Sequence, residues 1–150
     1  MANEKLFHVG AKALITNDRG EVLVLKADPS RFLRKTDEAH WDIPGGRVQQ
    51  GGDIKQTLAR EIAEETGVTD ISDVTFLSAV VSNIEIPISD TQQVGLILMI
   101  YSVSIPAGSR IVLSEENTEY AWVSKPEAAV RLAFKYPPEF IDILNSPVKS

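Results

Sequence analysis

The chain has 150 residues, 43% of them hydrophobic and 24% charged, which is the composition of an ordinary soluble protein with enough apolar mass for one core. Its formal net charge of −6 excludes bulk attraction to a nucleic-acid polymer, so a phosphate-bearing ligand must be met by a few local cations or by bound metal. With no cysteine, disulfides, zinc–thiolate sites and thiol nucleophiles are excluded. No run approaches the roughly 18 apolar residues of a membrane span. Met1-Ala2-Asn3-Glu4-Lys5 lacks the apolar stretch of a secretory signal, so a cytoplasmic location is expected.

Phe7 to Ile15 reads as a strand, Asn17-Asp18-Arg19-Gly20 as a turn and Glu21 to Lys26 as a returning strand, together a hairpin. A polar loop over 27–40 carries Pro29 and the cations Arg31, Arg34 and Lys35. Trp41-Asp42-Ile43 is a short extended piece, and Pro44-Gly45-Gly46 is expected to be a turn or loop. Asp53 caps the helix that follows, with Gln56 completing a capping box and Gly67 ending it after Ile54 to Thr66. Strands are expected at Val74 to Val81, Val94 to Ser104 and Glu119 to Val123, then short helices at Pro126 to Phe134 and Pro138 to Leu144. No repeat or linker divides residues 1–150, so one α/β (or α+β) domain is expected.

The helix carries the chemistry. At about 100° per residue, Glu61, Glu64 and Glu65 share an arc of about 100°, beside a packing arc of Leu58, Ala59, Ile62 and Ala63. Like charges three and four residues apart oppose helix formation, and anions near a helix C-terminus are disfavoured by its dipole. A cation would relieve both effects, and hard carboxylate oxygens suit Mg²⁺ or Mn²⁺. An E-x-x-E-E stretch alone is usually a solvated helix face. Here it follows Pro44-Gly45-Gly46-Arg47-Val48, whose glycines would let backbone approach a metal or phosphate closely.

Gly46 followed by Arg60-Glu61-Ile62-Ala63-Glu64-Glu65-Thr66-Gly67-Val68 resembles the Nudix box, Gly-x5-Glu-x7-Arg-Glu-U-x-Glu-Glu-x-Gly-U with U aliphatic. The resemblance implies an αβα sandwich around a mixed sheet, and hydrolysis of a nucleoside diphosphate linked to another group. It implies Glu64 and Glu65 as principal metal ligands, Glu61 as a further ligand or general base, and a backbone carbonyl of Gly45 or Gly46 as another ligand. Arg60 matches the arginine that orients the carboxylates. The chain departs from the pattern at Gly52, where the box has its first glutamate, and Gln49 also replaces a frequent acidic residue. Asp53 is adjacent but is occupied as the helix cap. Gly52 makes a catalytically inactive nucleotide-binding relative the alternative reading.

Outside the box, Ser114 to Val123 resembles the segment before the last sheet strand in nucleotide-directed members, with Glu116 a candidate base or metal contact and Glu119 a candidate substrate contact. Asn117 stands where many relatives have His and cannot act as a base. Arg47 and Arg34 are candidate phosphate contacts, and Trp41 a candidate stacking surface for a base, although a Trp beside a strand is more often core. His8 and His40 read as isolated, and Met99 and Tyr101 as core. The expected partner is a small phosphate-bearing nucleotide, and a homodimer is compatible with the resemblance. Diphosphate isomerisation on this scaffold relies on a cysteine that the chain lacks.

Overall fold

The computed structural model describes residues 4–31 and 40–146. Eight strands, β1 (Phe7–Thr16), β2 (Val22–Ala27), β3 (Trp41–Asp42), β4 (Gly45–Arg47), β5 (Ser72–Val81), β6 (Ile86–Pro87), β7 (Gln93–Ser104) and β8 (Asn117–Val123), accompany helices α1 (Ile54–Thr66), α2 (Lys125–Leu132) and α3 (Pro138–Asn145). A 3₁₀ turn, Pro29–Arg31, interrupts what the sequence suggests is a plain loop.

The main path runs β3-β2-β1-β7-β5, with β4 on β1, β6 on β7 and β8 on β2. β1 and β7 are parallel over Phe7↔Gly95 to Thr16↔Ser104, while the other pairs are antiparallel, so the sheet is mixed. Alternation along β1 divides its side chains between two apolar layers. Leu14 joins Val22, Val24, Leu98 and Ile100 beneath α2 and α3, whose Ala128, Leu132, Phe140 and Leu144 are buried there. Ala11, Ala13 and Ile15 face the other way, onto Leu58 and Ile62 of α1. The result is a three-layer αβα arrangement. No described helix is long and apolar enough to cross a membrane.

The expected hairpin opens almost at once. β1 and β2 pair at Thr16↔Val22, and the segment from Trp41 to Arg47 then wedges between them. Leu25 faces Asp42 on one side of the wedge, and Lys12 faces Gly45 on the other. Pro44-Gly45-Gly46 is therefore largely strand rather than turn: Gly45–Arg47 forms β4, continued by Ala13 N–H donating to Pro44 O at 2.8 Å. Gly45 has φ 151°, and any Cβ there would strike the Ala11 carbonyl. Only glycine brings this backbone so near β1.

α1 begins as expected, with Gln56 N–H donating to Asp53 Oδ1 at 2.8 Å. Thr57 Oγ1 also donates to Asp53 O at 2.7 Å, a second side-chain tie between the first turn and the cap residue. Gly67 closes the helix in the left-handed region (φ 77°) and donates its N–H to Ala63 O. The packing stripe differs from the expected one. It runs through Thr57, Leu58, Ile62, Glu65 and Thr66, while Ala59 is exposed.

Candidate active site

That rotation of α1 separates the three glutamates. Glu65 is 7% exposed on the packed side, while Glu64 points outward with its side chain 56% exposed. Glu61 lies between them, against Gly46, where a Cβ would collide with its carboxyl group. Glu61 and Glu65 share a hydrogen bond, and the Gly45 N–H donates to Glu65 Oε1 at 3.2 Å. Arg60 reaches Glu61 at 3.6 Å and Glu64 at 3.7 Å. The structure thus gathers Glu61, Glu65, Gly45 and Gly46, with Glu64 one helical step outside, held by Arg60. Among the described residues no three acidic or histidine side chains already share a ligating position.

Two carboxyl groups at hydrogen-bonding distance hold a proton between them or need a cation. Burial pushes Glu65 up to about 8, reinforced by the charges of Asp42 and Glu61 and partly offset by Lys12 and the Gly45 N–H. Glu61 is also raised, first by burial and then by Glu64, while its hydrogen bond to Glu65 works the other way. The donor set therefore fits a hard divalent ion: paired carboxylate oxygens whose ionised form lacks compensation, beside backbone that approaches closely.

Beside the pair opens a cavity of about 410 Å³. Gly45 and Glu65 form one wall, Leu25, Ala27 and Ile43 another, and Glu116 and Asn117 a third. Glu116 is brought there by a shift in the β2–β8 register at Lys26/Ala27 and by Asp28 N–H donating to Glu116 O at 2.8 Å. Glu119 lies on β8 beside Lys26, 3.6 Å away, and does not line the cavity. Trp41 is also outside it. Arg131 sits over its ring at 4.6 Å and Lys26 at 5.9 Å from the centroid, which fits a half-buried core residue rather than a free stacking surface. Arg47 is exposed and donates from Nη1 to His8 Nδ1 at 3.2 Å, so His8 is not isolated. Arg34 and Lys35 lie outside the described residues, as does the Arg31 side chain. A larger cleft of about 630 Å³ lies by Asn17 and Gly108 and contains no box residue.

The floor of the smaller cavity holds what sequence reading missed. Lys12 and Asp42 line it, and His40 sits at its edge against Phe134, with ring centroids 5.1 Å apart. Asp42 Oδ2 accepts from Lys12 Nζ at 3.1 Å and Lys135 Nζ at 2.5 Å, and its Oδ1 accepts from Tyr136 OH at 2.5 Å. Burial alone would raise the Asp42 pKa, but the two ammonium groups and these hydrogen bonds hold it well below the usual carboxylate range. Burial lowers Lys135 and raises Tyr136. One signal was available: Lys12 interrupts the apolar run from Val9 to Ile15. Lys135 and Tyr136, between the last two helices, carry no such mark.

A NUDIX domain model matches residues 6–142. The nucleoside triphosphatase NudI of Escherichia coli K12 is 32% identical over 121 residues, covering 78% of this chain and 81% of that protein. A MutT-like protein of Streptomyces ambofaciens is 25% identical over 140 residues, covering 93% and 79%. The crystal structure of a MutT protein from Methanosarcina mazei Go1 superposes with a TM-score of 0.67 at 28% identity, covering 96% of this chain and 94% of that one. With its box helix, its glycine wedge and a family match spanning nearly its whole length, the chain belongs to the Nudix family of hydrolases.

Proposed function

We propose that the chain is a divalent-metal-dependent pyrophosphohydrolase of small nucleotides, acting on a nucleoside diphosphate linked to a further group. Nucleoside triphosphates come first, on the similarity to a nucleoside triphosphatase, and nucleotide sugars second. The observation that carries the reading is the Glu61–Glu65 pair, Glu65 buried and Glu61 half-buried against the Gly45-Gly46 backbone, at the edge of a cavity of ligand size.

Glu61, Glu65 and Glu64, with a carbonyl of Gly45 or Gly46, would hold Mg²⁺ or Mn²⁺. Bound there, the ion supplies positive charge to phosphate oxygens and makes a bound water more acidic. Glu61 or Glu116 takes the proton of the attacking water, whose oxygen bonds to one phosphorus as the bridging P–O bond breaks. Arg60 keeps Glu61 and Glu64 in position through its ion pairs.

The test is product analysis on a nucleotide panel with and without Mg²⁺. Wild-type protein is expected to release phosphate or pyrophosphate only with metal. Glu65→Gln and Glu64→Gln are each expected to lower turnover by at least about 100-fold with an unchanged circular dichroism spectrum. Nucleotide binding without turnover would overturn the reading in favour of a non-catalytic binding module, the alternative that Gly52 raises.

A further inference from the structure

We propose that Lys12 is a specificity-determining residue of the cavity, its ammonium group donating to a carbonyl oxygen of the nucleobase; this inference rests on the nucleotide reading above. Bases with a keto group there (guanine, uracil, thymine) would then be favoured over those with an amino group (adenine, cytosine).

A lysine in the middle of a central strand is unusual, and Lys12 is only 6% exposed. Burying an ammonium group is costly unless its donors are used. Among the described residues it has one hydrogen bond, to Asp42 Oδ2, and an ammonium has three N–H donors. Asp42 is spent by comparison. Oδ2 accepts from two lysines, and Oδ1 accepts from Tyr136 OH and from the Ile43 N–H at 2.8 Å. Asp42 therefore anchors the cluster, and Lys12 is the group with hydrogen bonds left to offer. It lines the cavity, whereas Lys135 and Tyr136 do not.

The walls around Lys12 suit a base. Lys12 shares the cavity with Glu65 and acts on its charge, so a ligand held at the carboxyl pair comes within its reach. Leu25, Ala27 and Ile43 give the cavity apolar walls suited to a flat ring. A diphosphate gripped at Glu61 and Glu65 would leave the nucleoside end to enter between these walls and meet Lys12. Two ammonium groups share the Asp42 carboxylate, and an ammonium donor is matched by an acceptor oxygen and not by an exocyclic amino group.

Calorimetric titration with the α,β-methylene analogues of GTP, UTP, ATP and CTP, and with inorganic tripolyphosphate, tests this without turnover. Wild-type protein is expected to bind the GTP and UTP analogues about 10-fold or more tightly than the other two. Lys12→Met is expected to abolish that ratio while tripolyphosphate affinity holds. Equal affinity for all four analogues in wild-type protein, a preference for the amino bases, or a ratio that survives Lys12→Met would overturn the proposal. So would an equal loss for nucleotides and tripolyphosphate, which would move Lys12 to the phosphates. Should Lys12→Met fail to fold, the wild-type ratio decides alone. Wild-type protein that binds no analogue sinks the nucleotide reading as well, whereas binding without base discrimination sinks this inference only.

Discussion

Glu65 is a carboxyl group in a place where its ionised form is poorly accommodated, and that makes it a reporter of what the site needs. Its folded pKa of about 8 lies above the reference value of 4.5. Between those values the folded chain keeps a proton that the unfolded chain has lost, so stability falls as pH rises through the window. Urea unfolding without metal is therefore expected to show lower stability at pH 8 than at pH 5. The decline should shrink in Glu65→Gln and in saturating Mg²⁺. Asp42 has the opposite sign: its depressed pKa adds stability above the reference value of 3.8, which is lost on acidification below it. Gly52 is open to a direct test. It is exposed, and a Cβ there would come within 3.3 Å of Gln49 O, a tight contact that a shift of a few tenths of an ångström in the loop would relieve. Gly52→Glu restores the box glutamate, and turnover at limiting Mg²⁺ is expected to rise several-fold in steady-state assays.

α1 shows what a sequence pattern can convey about an element and where it stops. Cap, length, terminus and three glutamates were all legible, because Asp53, the unbroken run to Thr66 and Gly67 are local signals. The rotation about the helix axis was not. Ala59 and Ala63 are weakly apolar, and packing against β1 selected the stripe through Leu58, Ile62 and Glu65 instead. The wedge was misread for a related reason. Gly-Gly is a local turn signal, but pairing with β1 across 33 or more positions of sequence (Lys12↔Gly45) is a tertiary fact. Gly45→Ala tests its consequence. With φ at 151° and the Ala11 carbonyl in the way, the substitution is expected to destabilise the fold by about 2–3 kcal/mol in chemical denaturation. It should also weaken metal binding, since the Gly45 N–H steadies Glu65.

The whole molecule places the site where layers meet. α1 supplies the carboxyl pair from one face of the sheet, the α2–α3 connection supplies Lys135 and Tyr136 from the other, and the wedge joins them through Asp42 and Gly45. The box was legible because it rests on contiguous residues, and the family and its mixed sheet followed from that resemblance. The cavity floor was not, because Lys12, Asp42 and Lys135 come from three distant parts of the chain. Binding of Mn²⁺ to wild-type protein and Glu65→Gln, followed by electron paramagnetic resonance, is the most direct measurement. A site in wild-type protein that weakens by about tenfold or more in the variant is the predicted result. Equal Mn²⁺ binding by both proteins would mean that the buried carboxyl pair is not where the metal goes.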